Sequence, residues 1–500
     1  MSPAAIQLRN VVFSYPGSTT PVLDGLTVTF SRGFTGVVGG NGTGKSTLLK
    51  LVNSDLEPDK GLIEGTEDVV YCEQRTDTPP ALLEAMLLDD DSATFAMRGR
   101  LGIDDDFETR WQTLSHGERK RAQIGCALWQ RPTALAVDEP TNHIDGKTRA
   151  QLLDALQQFN GIGLIVSHDR NLLDELCHQS VWLEPGLASV FPGGYSDALM
   201  LRNEEKGVAQ RVRARAVKER DSLVREKVRR RANDAKADRQ LSKGNIDAKD
   251  HDAKARVNLK KLTSSGAGKR TSQLDGRLER AQNAVADARV SKEFELGIWM
   301  PGSVSKRQNL LSVAAGSLEI GNGRTLTYPD LFMRPTDRVA LTGNNGSGKS
   351  TLLRSLVTQL NVPPENTVYM PQEISAETSQ RLLAEAKTLS KDLLGHVMTI
   401  VSRLGTRPGR LLESELASPG EIRKLMLALG MVRSPHLLIM DEPTNHLDLP
   451  SIEALERALK ECPCGLLLVS HDQRFLHETT SVSWQLERDK SGHAALKITM

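Results

Sequence analysis

Near its start the chain contains the sequence Gly39-Gly40-Asn41-Gly42-Thr43-Gly44-Lys45-Ser46-Thr47. It matches the phosphate-binding pattern G-x-x-x-x-G-K-[ST], and it lies between a short apolar strand, residues 34–38, and a helix that begins Thr-Leu-Leu. Glycines let the backbone wrap closely around phosphates, and a helix N-terminus offers unpaired N–H groups and a positive dipole. The segment therefore predicts an α/β domain that binds a nucleotide through its phosphates.

The pattern recurs as Gly343-Asn344-Asn345-Gly346-Ser347-Gly348-Lys349-Ser350-Thr351, so that Lys349 follows Lys45 by 304 residues. A short apolar strand, residues 339–342, again precedes it. In this pattern the lysine reaches the β- and γ-phosphates of ATP, and the serine that follows (Ser46 or Ser350) ligates Mg²⁺. A repeat of this length predicts two copies of one ATP-binding domain.

Each half also has an apolar strand that ends in two acidic residues, Asp138-Glu139 and Asp441-Glu442. We predict that the first acid holds Mg²⁺ through water and that the second polarises the attacking water. A later strand in each half ends in Ser-His-Asp and contains His168 or His471. Three adjacent residues cannot relay protons as the separated members of a hydrolytic triad do, so the pattern argues against a triad.

A fourth element is Ser115-His116-Gly117-Glu118, with its counterpart Ser418-Pro419-Gly420-Glu421. Both are S-x-x-E capping boxes, which is a sufficient structural role, but a Ser and a Gly at a helix start can also bind a phosphate. From this serine to the first acid there are 23 residues in both halves, and from that acid to the histidine there are 30. Matching distances predict the same architecture in both halves.

Basic residues are concentrated in one segment. Residues 201–290 contain 25 Lys/Arg and 13 Asp/Glu, whereas the rest of the chain contains 39 and 50. This imbalance predicts a polyanionic partner, and the lack of aromatic residues between Tyr195 and Phe294 favours the backbone of structured RNA over stacked bases. A solvated, charged coiled coil remains the alternative. The densest basic clusters, and so the predicted RNA contacts, are Arg229, Arg230, Arg231, Lys260, Lys261, Lys269 and Arg270.

The composition of this segment predicts a long exposed helix over 197–241, a break near 242–245, another near 264–268, and a second helix over about 271–292. The resulting fold class is α/β: two P-loop ATPase domains, each a mixed sheet with a helical subdomain, joined by a charged α-helical hairpin linker. The predicted domains are residues 1–200 (the N-terminal cassette), 201–306 (the linker) and 307–500 (the C-terminal cassette).

No apolar run approaches the roughly 18 residues that a membrane helix needs, and the first residues lack the pattern of a secretory signal. The five cysteines are scattered, which suits a reducing cytoplasm. Cys462-Pro463-Cys464 could be half of a metal site, but no second Cys or His pair lies near it in the sequence.

In this order and twice over, the four elements resemble the ATP-binding cassette superfamily. The resemblance implies that the two cassettes pair head to tail within one monomer, so that each ATP lies between one P-loop and the signature of the other half. It places Gln74 and Gln372 at the Q-loop position, as Mg²⁺ ligands, and Tyr15 on the adenine. One site (site A) would combine Lys45, Ser46, Gln74, Asp138, Glu139 and His168 with Ser418, Gly420 and Glu421. The other (site B) would combine Lys349, Ser350, Gln372, Asp441, Glu442 and His471 with Ser115, Gly117 and Glu118.

Two cassettes without membrane spans, a charged linker, and signatures that end in Glu resemble the ABC-F family of ribosome-associated translation ATPases. So does Pro-Thr-Asn-His-[Ile/Leu]-Asp, at residues 140–145 and 443–448. The resemblance implies ATP and Mg²⁺ as cofactors, a cytoplasmic location, and a ribosome partner with the linker near rRNA and the P-site tRNA.

The C-terminal cassette departs from the family pattern. Its signature has Ala417 and Pro419, and Gly321-Asn322-Gly323 lies where an adenine-stacking aromatic is usual. These departures raise the question of whether the two sites turn over equally.

Two alternative functions stay open at this stage. One is the ATPase component of a transporter with separate membrane subunits, and the other is a DNA-associated cassette protein, whose zinc-binding cysteine pairs the sequence lacks. Within the ABC-F family, the sequence does not separate a housekeeping translation factor from an antibiotic-resistance protein.

Overall fold

The computed structural model describes residues 5–18, 20–142, 144–184, 186–240, 266–287, 302–321, 323–406, 411, 417–489 and 492–499. Within these ranges, the side chains of 234–240, 266–272 and 287 are not described. The chain forms two compact units, one of residues 1–198 with 294–500 and the other of residues 199–293. The first unit holds both cassettes.

The N-terminal cassette is built on a six-stranded sheet in the order β5-β6-β7-β3-β8-β9, with a three-stranded antiparallel sheet, β2-β1-β4. The strands β5, β6, β7, β3 and β8 are parallel, and β9 pairs antiparallel with β8. Both β6 and β7 are buried at every position, as expected of central parallel strands covered on both faces. The strands are β1 Ala5–Phe13, β2 Leu23–Ser31, β3 Gly33–Gly39, β4 Lys60–Glu64, β5 Val69–Cys72, β6 Ala134–Asp138, β7 Ile162–Val166, β8 Cys177–Glu184 and β9 Leu187–Pro192.

The C-terminal cassette repeats this plan on one eight-stranded sheet, β11-β12-β19-β18-β14-β17-β16-β15, with β10 paired to β13. The five strands from β18 to β15 are parallel and match the parallel core of the first cassette. The strands are β10 Leu311–Val313, β11 Gly316–Glu319, β12 Thr325–Tyr328, β13 Leu331–Met333, β14 Arg338–Gly343, β15 Thr367–Met370, β16 Leu437–Asp441, β17 Gly465–Val469, β18 Val482–Arg488 and β19 Ala494–Thr499.

In each cassette one helix follows the P-loop strand, three belong to a helical subdomain, and two follow the last parallel strands. The N-terminal set is Lys45–Val52, Leu83–Leu87, Ser92–Leu101, His116–Trp129, Gly146–Gln157 and Arg170–Leu176, with a 3₁₀ turn at Trp111–Thr113. The C-terminal set is Lys349–Val357, Ala376–Thr388, Lys391–Arg403, Pro419–Met431, Leu449–Glu461 and Gln473–Thr479, with a 3₁₀ turn at Pro364–Asn366.

The linker consists of helix Tyr195–Gln240 and helix Gly266–Asp287. They pack through Leu223, which contacts a small cluster of Leu274, Leu278 and Ala281, and through an ion pair between Lys227 Nζ and Asp275 Oδ1 at 2.5 Å. The second helix begins at Gly266, inside the stretch that we predicted to be a break, because glycine is less costly in a first turn than in a helix interior. The predicted fold class is confirmed.

No helix in the described part of the chain is long and apolar enough to cross a membrane.

Candidate nucleotide-binding and catalytic sites

Both P-loops close on a left-handed glycine. Gly44 and Gly348 each have φ of 96°, which only glycine adopts without strain, and each stands directly before its helix. A Cβ on Gly44 would lie 2.9 Å from Leu23 Cδ2, and one on Gly348 would lie 2.8 Å from Ile320 Cγ2. The sequence thus needs glycine at this position for two independent reasons.

The P-loop lysines lie over their own loops. Lys45 Nζ donates to the carbonyls of Gly39 at 2.9 Å and Gly40 at 3.1 Å. Lys349 Nζ donates to Gly343 O at 2.7 Å in the same way. Burial lowers the pKa of both lysines, while the facing carboxylates, Glu139 and Glu442, act in the opposite direction. Each lysine therefore stands as a buried cation at the place where a nucleotide's phosphates would lie.

The second acid of each pair has a strained backbone. Glu139 has φ of 46° and Glu442 has φ of 51°, in the left-handed region that non-glycine residues avoid. Their N–H groups donate to Val166 O and Val469 O, each at 2.8 Å. This hydrogen bond to the neighbouring strand turns the carboxylate out of the sheet and into the site.

A histidine holds each of these carboxylates at two points. The backbone N–H of His168 donates to Glu139 Oε2 at 3.1 Å, and its Nε2 lies 3.1 Å from Oε1. In site B the matching His471 distances to Glu442 are 3.3 Å and 3.4 Å. The Ser-His-Asp segments thus position the acid rather than form a triad.

Burial sets the protonation of these pairs. It raises the pKa of Glu139 to about 7, against the opposing effect of Lys45, and it raises the pKa of Glu442 as well. It lowers the pKa of His168, and that of His471 to about 4, so both imidazoles are neutral at pH 7. A carboxylate whose pKa lies near neutrality is well matched to accept a proton from water.

The first acid of each pair has an oxygen that suits a metal. Asp138 Oδ1 and Asp441 Oδ1 are buried without a hydrogen-bond partner among the described residues, although Tyr71 donates to Asp138 Oδ2 at 3.1 Å. Ser46 and Gln74 line the same cavity as Asp138, and Ser350 and Gln372 line that of Asp441. Hydroxyl, amide and carboxylate oxygens are the donors that Mg²⁺ prefers, so the residues present fit this ion.

Site A brings the two cassettes together in one cavity of about 380 Å³. Its walls include Lys45, Glu139 and His168 from one cassette and Ser418 and Gly420 from the other. Next to it, the backbone N–H of Asn41 donates to Asp448 Oδ2 at 2.6 Å. The predicted head-to-tail residue set of site A therefore meets in space.

Site B is less complete. Its cavity of about 200 Å³ is lined by Lys349, Ser350, Gln372, Asp441, Glu442 and His471, but in the described part of the chain neither Ser115 nor Gly117 is among its lining residues. Asp145, the counterpart of Asp448, does accept a hydrogen bond from the backbone of Asn345. The P-loop side of site B is assembled, whereas its predicted signature side is not.

Both signature segments form full capping boxes. Ser115 N–H donates to Glu118 Oε2 at 2.7 Å, and Ser418 N–H donates to Glu421 Oε2 at 2.9 Å. The glutamates, which we predicted to belong to the nucleotide sites, are thus turned back on their own helix starts.

Tyr15 lies beside the P-loop helix and is 42% exposed. Its ring contacts Phe13 edge to face with centroids 5.0 Å apart, and its hydroxyl lies 3.1 Å from Thr47 Oγ1. That leaves one ring face available, and the adenine contact stays a prediction. In the C-terminal cassette Ile320 lines the cavity at the matching region.

Several site residues were missed at the sequence level. Asp145 and Asp448 end the repeated Pro-Thr-Asn-His-[Ile/Leu]-Asp segments, and that repetition was a usable signal. Lys120 and Arg423 were also missed, although each is a basic residue five positions after the signature serine. Lys120 is fully buried, and its Nζ donates to Glu73 O at 2.5 Å.

Fold and sites together define a tandem P-loop ATPase. The ABC transporter family model matches the chain twice, at residues 23–142 and 327–445. The chain is 30% identical over 469 residues to the ribosome protection protein VmlR of Bacillus subtilis, a match that covers 89% of this chain and 80% of the relative.

Two further relatives cover similar lengths. The erythromycin resistance ATP-binding protein MsrA of Staphylococcus epidermidis is 26% identical, covering 90% of this chain and 91% of its own. The ATP-binding protein Uup of Escherichia coli is 27% identical, covering 90% and 75%. The chain belongs to the ABC-F family of ATP-binding cassette proteins, and it is an ATPase that hydrolyses ATP to ADP and phosphate.

Among solved structures, the fold is similar to that of the archaeal ribosome recycling factor aABCE1. The TM-score is 0.62 at 18% identity, over 97% of this chain and 89% of that one.

Proposed function

We propose that this ATPase acts on the ribosome, as a translation factor or as a ribosome protection factor, and that its basic linker contacts RNA. The names of two relatives, a ribosome protection protein and an erythromycin resistance protein, support the first part. A ribosome partner would put the protein in the cytoplasm.

A basic stripe on helix Tyr195–Gln240 supports the RNA contact. Arg211, Arg215, Lys218, Arg225 and Arg229 are three, four or seven positions apart, so they lie on one face of the helix, and all five are exposed. Over 18 residues the stripe is about 27 Å long. Of the described side chains, no carboxylate pairs with any of these five. A row of free cations is suited to a row of phosphates.

The residues predicted from sequence fit this surface in part. Arg229 belongs to the stripe, and Arg230 and Arg231 are exposed, although Arg230 pairs with Glu226. Lys260 and Lys261 lie outside the described residues, as do the side chains of Lys269 and Arg270.

We further propose how the site residues work. Glu139 and Glu442 accept the proton of the attacking water, while His168 and His471 hold these carboxylates in place. Ser46, Gln74 and Asp138 in site A, and Ser350, Gln372 and Asp441 in site B, would hold Mg²⁺, which when bound neutralises charge on the phosphates. Ser418 and Gly420 close site A from the opposite cassette, and Ser115 and Gly117 would close site B.

The stripe is tested by its salt dependence. Changing Arg211, Arg215, Lys218, Arg225 and Arg229 to Gln should flatten the fall of ribosome affinity with salt by about 0.7–0.9 logarithmic units per lost phosphate contact. A control with five exposed basic residues on the cassettes changed to Gln (Lys60, Arg100, Arg381, Lys387 and Lys391) removes the same charge. Equal salt slopes for both variants would make the linker a solvated spacer.

A second experiment addresses the type of ribosome factor. Cell-free translation with and without a panel of ribosome-targeting antibiotics would be compared at increasing protein concentration. Restored synthesis under one drug class identifies a protection factor, and stimulation without drug identifies a translation factor. No effect on translation in either arm would argue against the proposed role.

A further inference from the structure

Each signature helix carries a buried cation at the same position. Lys120 lies five residues after Ser115 in helix His116–Trp129, and Arg423 lies five residues after Ser418 in helix Pro419–Met431. Lys120 is fully buried, and Arg423 is 3% exposed. Burial lowers the pKa of both groups, that of Lys120 to about 8. A charge is kept inside a protein only where its partners compensate for the lost water, so these partners matter.

The partners of Arg423 are two backbone carbonyls of site B. Its Nη1 donates to Glu442 O at 2.7 Å, and its Nη2 donates to Gln372 O. The planar fork of a guanidinium can hold two acceptors in a fixed relation. Arg423 therefore ties the residue that we assign as the proton acceptor of site B to the Q-loop of the same site.

The same helix reaches site A at its other end. Ser418, Pro419 and Gly420 line the cavity of site A. Five residues of α-helix span about 7.5 Å, a distance over which a helix turn moves as a rigid body. Contacts made at the start of this helix in site A are thus transmitted directly to the position of Arg423.

We propose that Arg423 is a positioning residue that couples the two ATP sites. When Ser418 is drawn onto a nucleotide in site A, Arg423 sets the backbone of Gln372 and Glu442 in site B. This coupling rests on contacts within the cassettes and holds whatever the partner of the linker is.

Lys120 is the counterpart in the N-terminal cassette. Its Nζ donates to Glu73 O at 2.5 Å, to Gln123 Oε1 at 2.9 Å and to Asp138 O at 3.4 Å. A lysine thus makes the same connection between Q-loop and acid strand that the arginine makes in the other half. It predicts that lysine can replace arginine at position 423 with most of the function retained.

The test measures ATP turnover at site B alone, in a Glu139→Gln background. Arg423→Met should lower kcat between about 10- and 100-fold with a smaller change in KM, the scale of a lost charge-assisted hydrogen bond in the machinery. Arg423→Lys should restore most of the rate. Arg433→Met is the matched control, because Arg433 lies just beyond the same helix but is exposed and pairs with Glu385.

Coupling itself is measured with a double-mutant cycle. Ser418→Ala should slow site B when Arg423 is present and have little further effect in the Arg423→Met variant. The melting temperature of every variant checks folding, and if Arg423→Met does not fold, Arg423→Lys takes its place in the cycle. Additive effects, an unchanged kcat in folded Arg423→Met, or a folded Arg423→Lys as slow as Arg423→Met would each overturn the proposal.

Discussion

At the scale of single residues, Glu139 and Glu442 share the same strain and the same restraints. Both have a left-handed backbone, both donate their N–H to the neighbouring strand, and both are held by a histidine. Strain of this kind costs about 1–3 kcal/mol and persists only where the surroundings enforce it. Its occurrence twice, in separate halves of the chain, supports a chemical role for both carboxylates.

Replacing both glutamates tests that role. Glu139→Gln with Glu442→Gln keeps the hydrogen bonds from the histidines but removes the proton acceptor. We expect normal ATP binding and hydrolysis slowed by at least about 10²-fold, the scale of a lost general base. The measurement is phosphate release beside nucleotide binding, with Glu84→Gln and Glu377→Gln, both exposed, as the control pair. Turnover near that of the unmodified chain would remove both glutamates from the reaction.

The single variants test whether the sites are equal. Site A is closed by Ser418 and Gly420, whereas site B lacks its signature side in the described structure, and the signature facing site A contains Pro419. We expect Glu139→Gln and Glu442→Gln to leave different residual rates. A threefold difference needs only about 0.7 kcal/mol between the two transition states. Equal rates would show that the sequence departures are silent.

Which site residues could be predicted depends on where their hydrogen bonds go. Glycines and lysines of the P-loop and the acid pairs form motifs, because their side chains meet a nucleotide of fixed shape. Lys120 and Arg423 bind backbone carbonyls, which any sequence supplies, so nothing in the residues around their partners announces them. The missing Ser115 contact at site B is a matter of how far the cassettes close, and the sequence does not encode that distance locally.

At the scale of elements, the linker helices depend on a very small core. Leu223 is 3% exposed and packs on Leu274, Leu278 and Ala281, with one ion pair beside it. The helices themselves were predictable from a composition rich in Arg, Lys, Ala and Glu. The start at Gly266 was not, because a glycine-containing segment can be either a break or a first helical turn.

Leu223→Ala should loosen the linker without affecting ATP turnover. Loss of a buried leucine costs about 2–5 kcal/mol, and the cluster here is too small to compensate. Amide hydrogen exchange within helix Gly266–Asp287 should accelerate, while kcat for ATP stays the same. Val224→Ala, a neighbour that is 40% exposed, is the control. Unchanged exchange in Leu223→Ala would mean that the two helices are stable independently.

At the scale of the whole molecule, the cassettes are joined by buried polar contacts as well as by the nucleotide sites. Arg170, 3% exposed, pairs with Glu456 at 2.8 Å, and the hydroxyl of Tyr195 donates to Glu453 at 2.8 Å. Tyr195 is also the first residue of the long linker helix. Head-to-tail pairing was predictable from the duplicated motifs, but these contacts were not, since Arg170 has Gln473 as its counterpart in the other half.

The central claim, a ribosome-acting ATPase, is tested most directly by sedimentation of the ATP-trapped protein. The Glu139→Gln/Glu442→Gln double variant is mixed with ribosomes and with membrane vesicles, and the two fractions are separated with ATP, with ADP and without nucleotide. The account predicts that the variant sediments with ribosomes in ATP and far less in ADP. ATP-dependent recovery in the membrane fraction, with none on ribosomes, would contradict it and favour the ATPase component of a transporter.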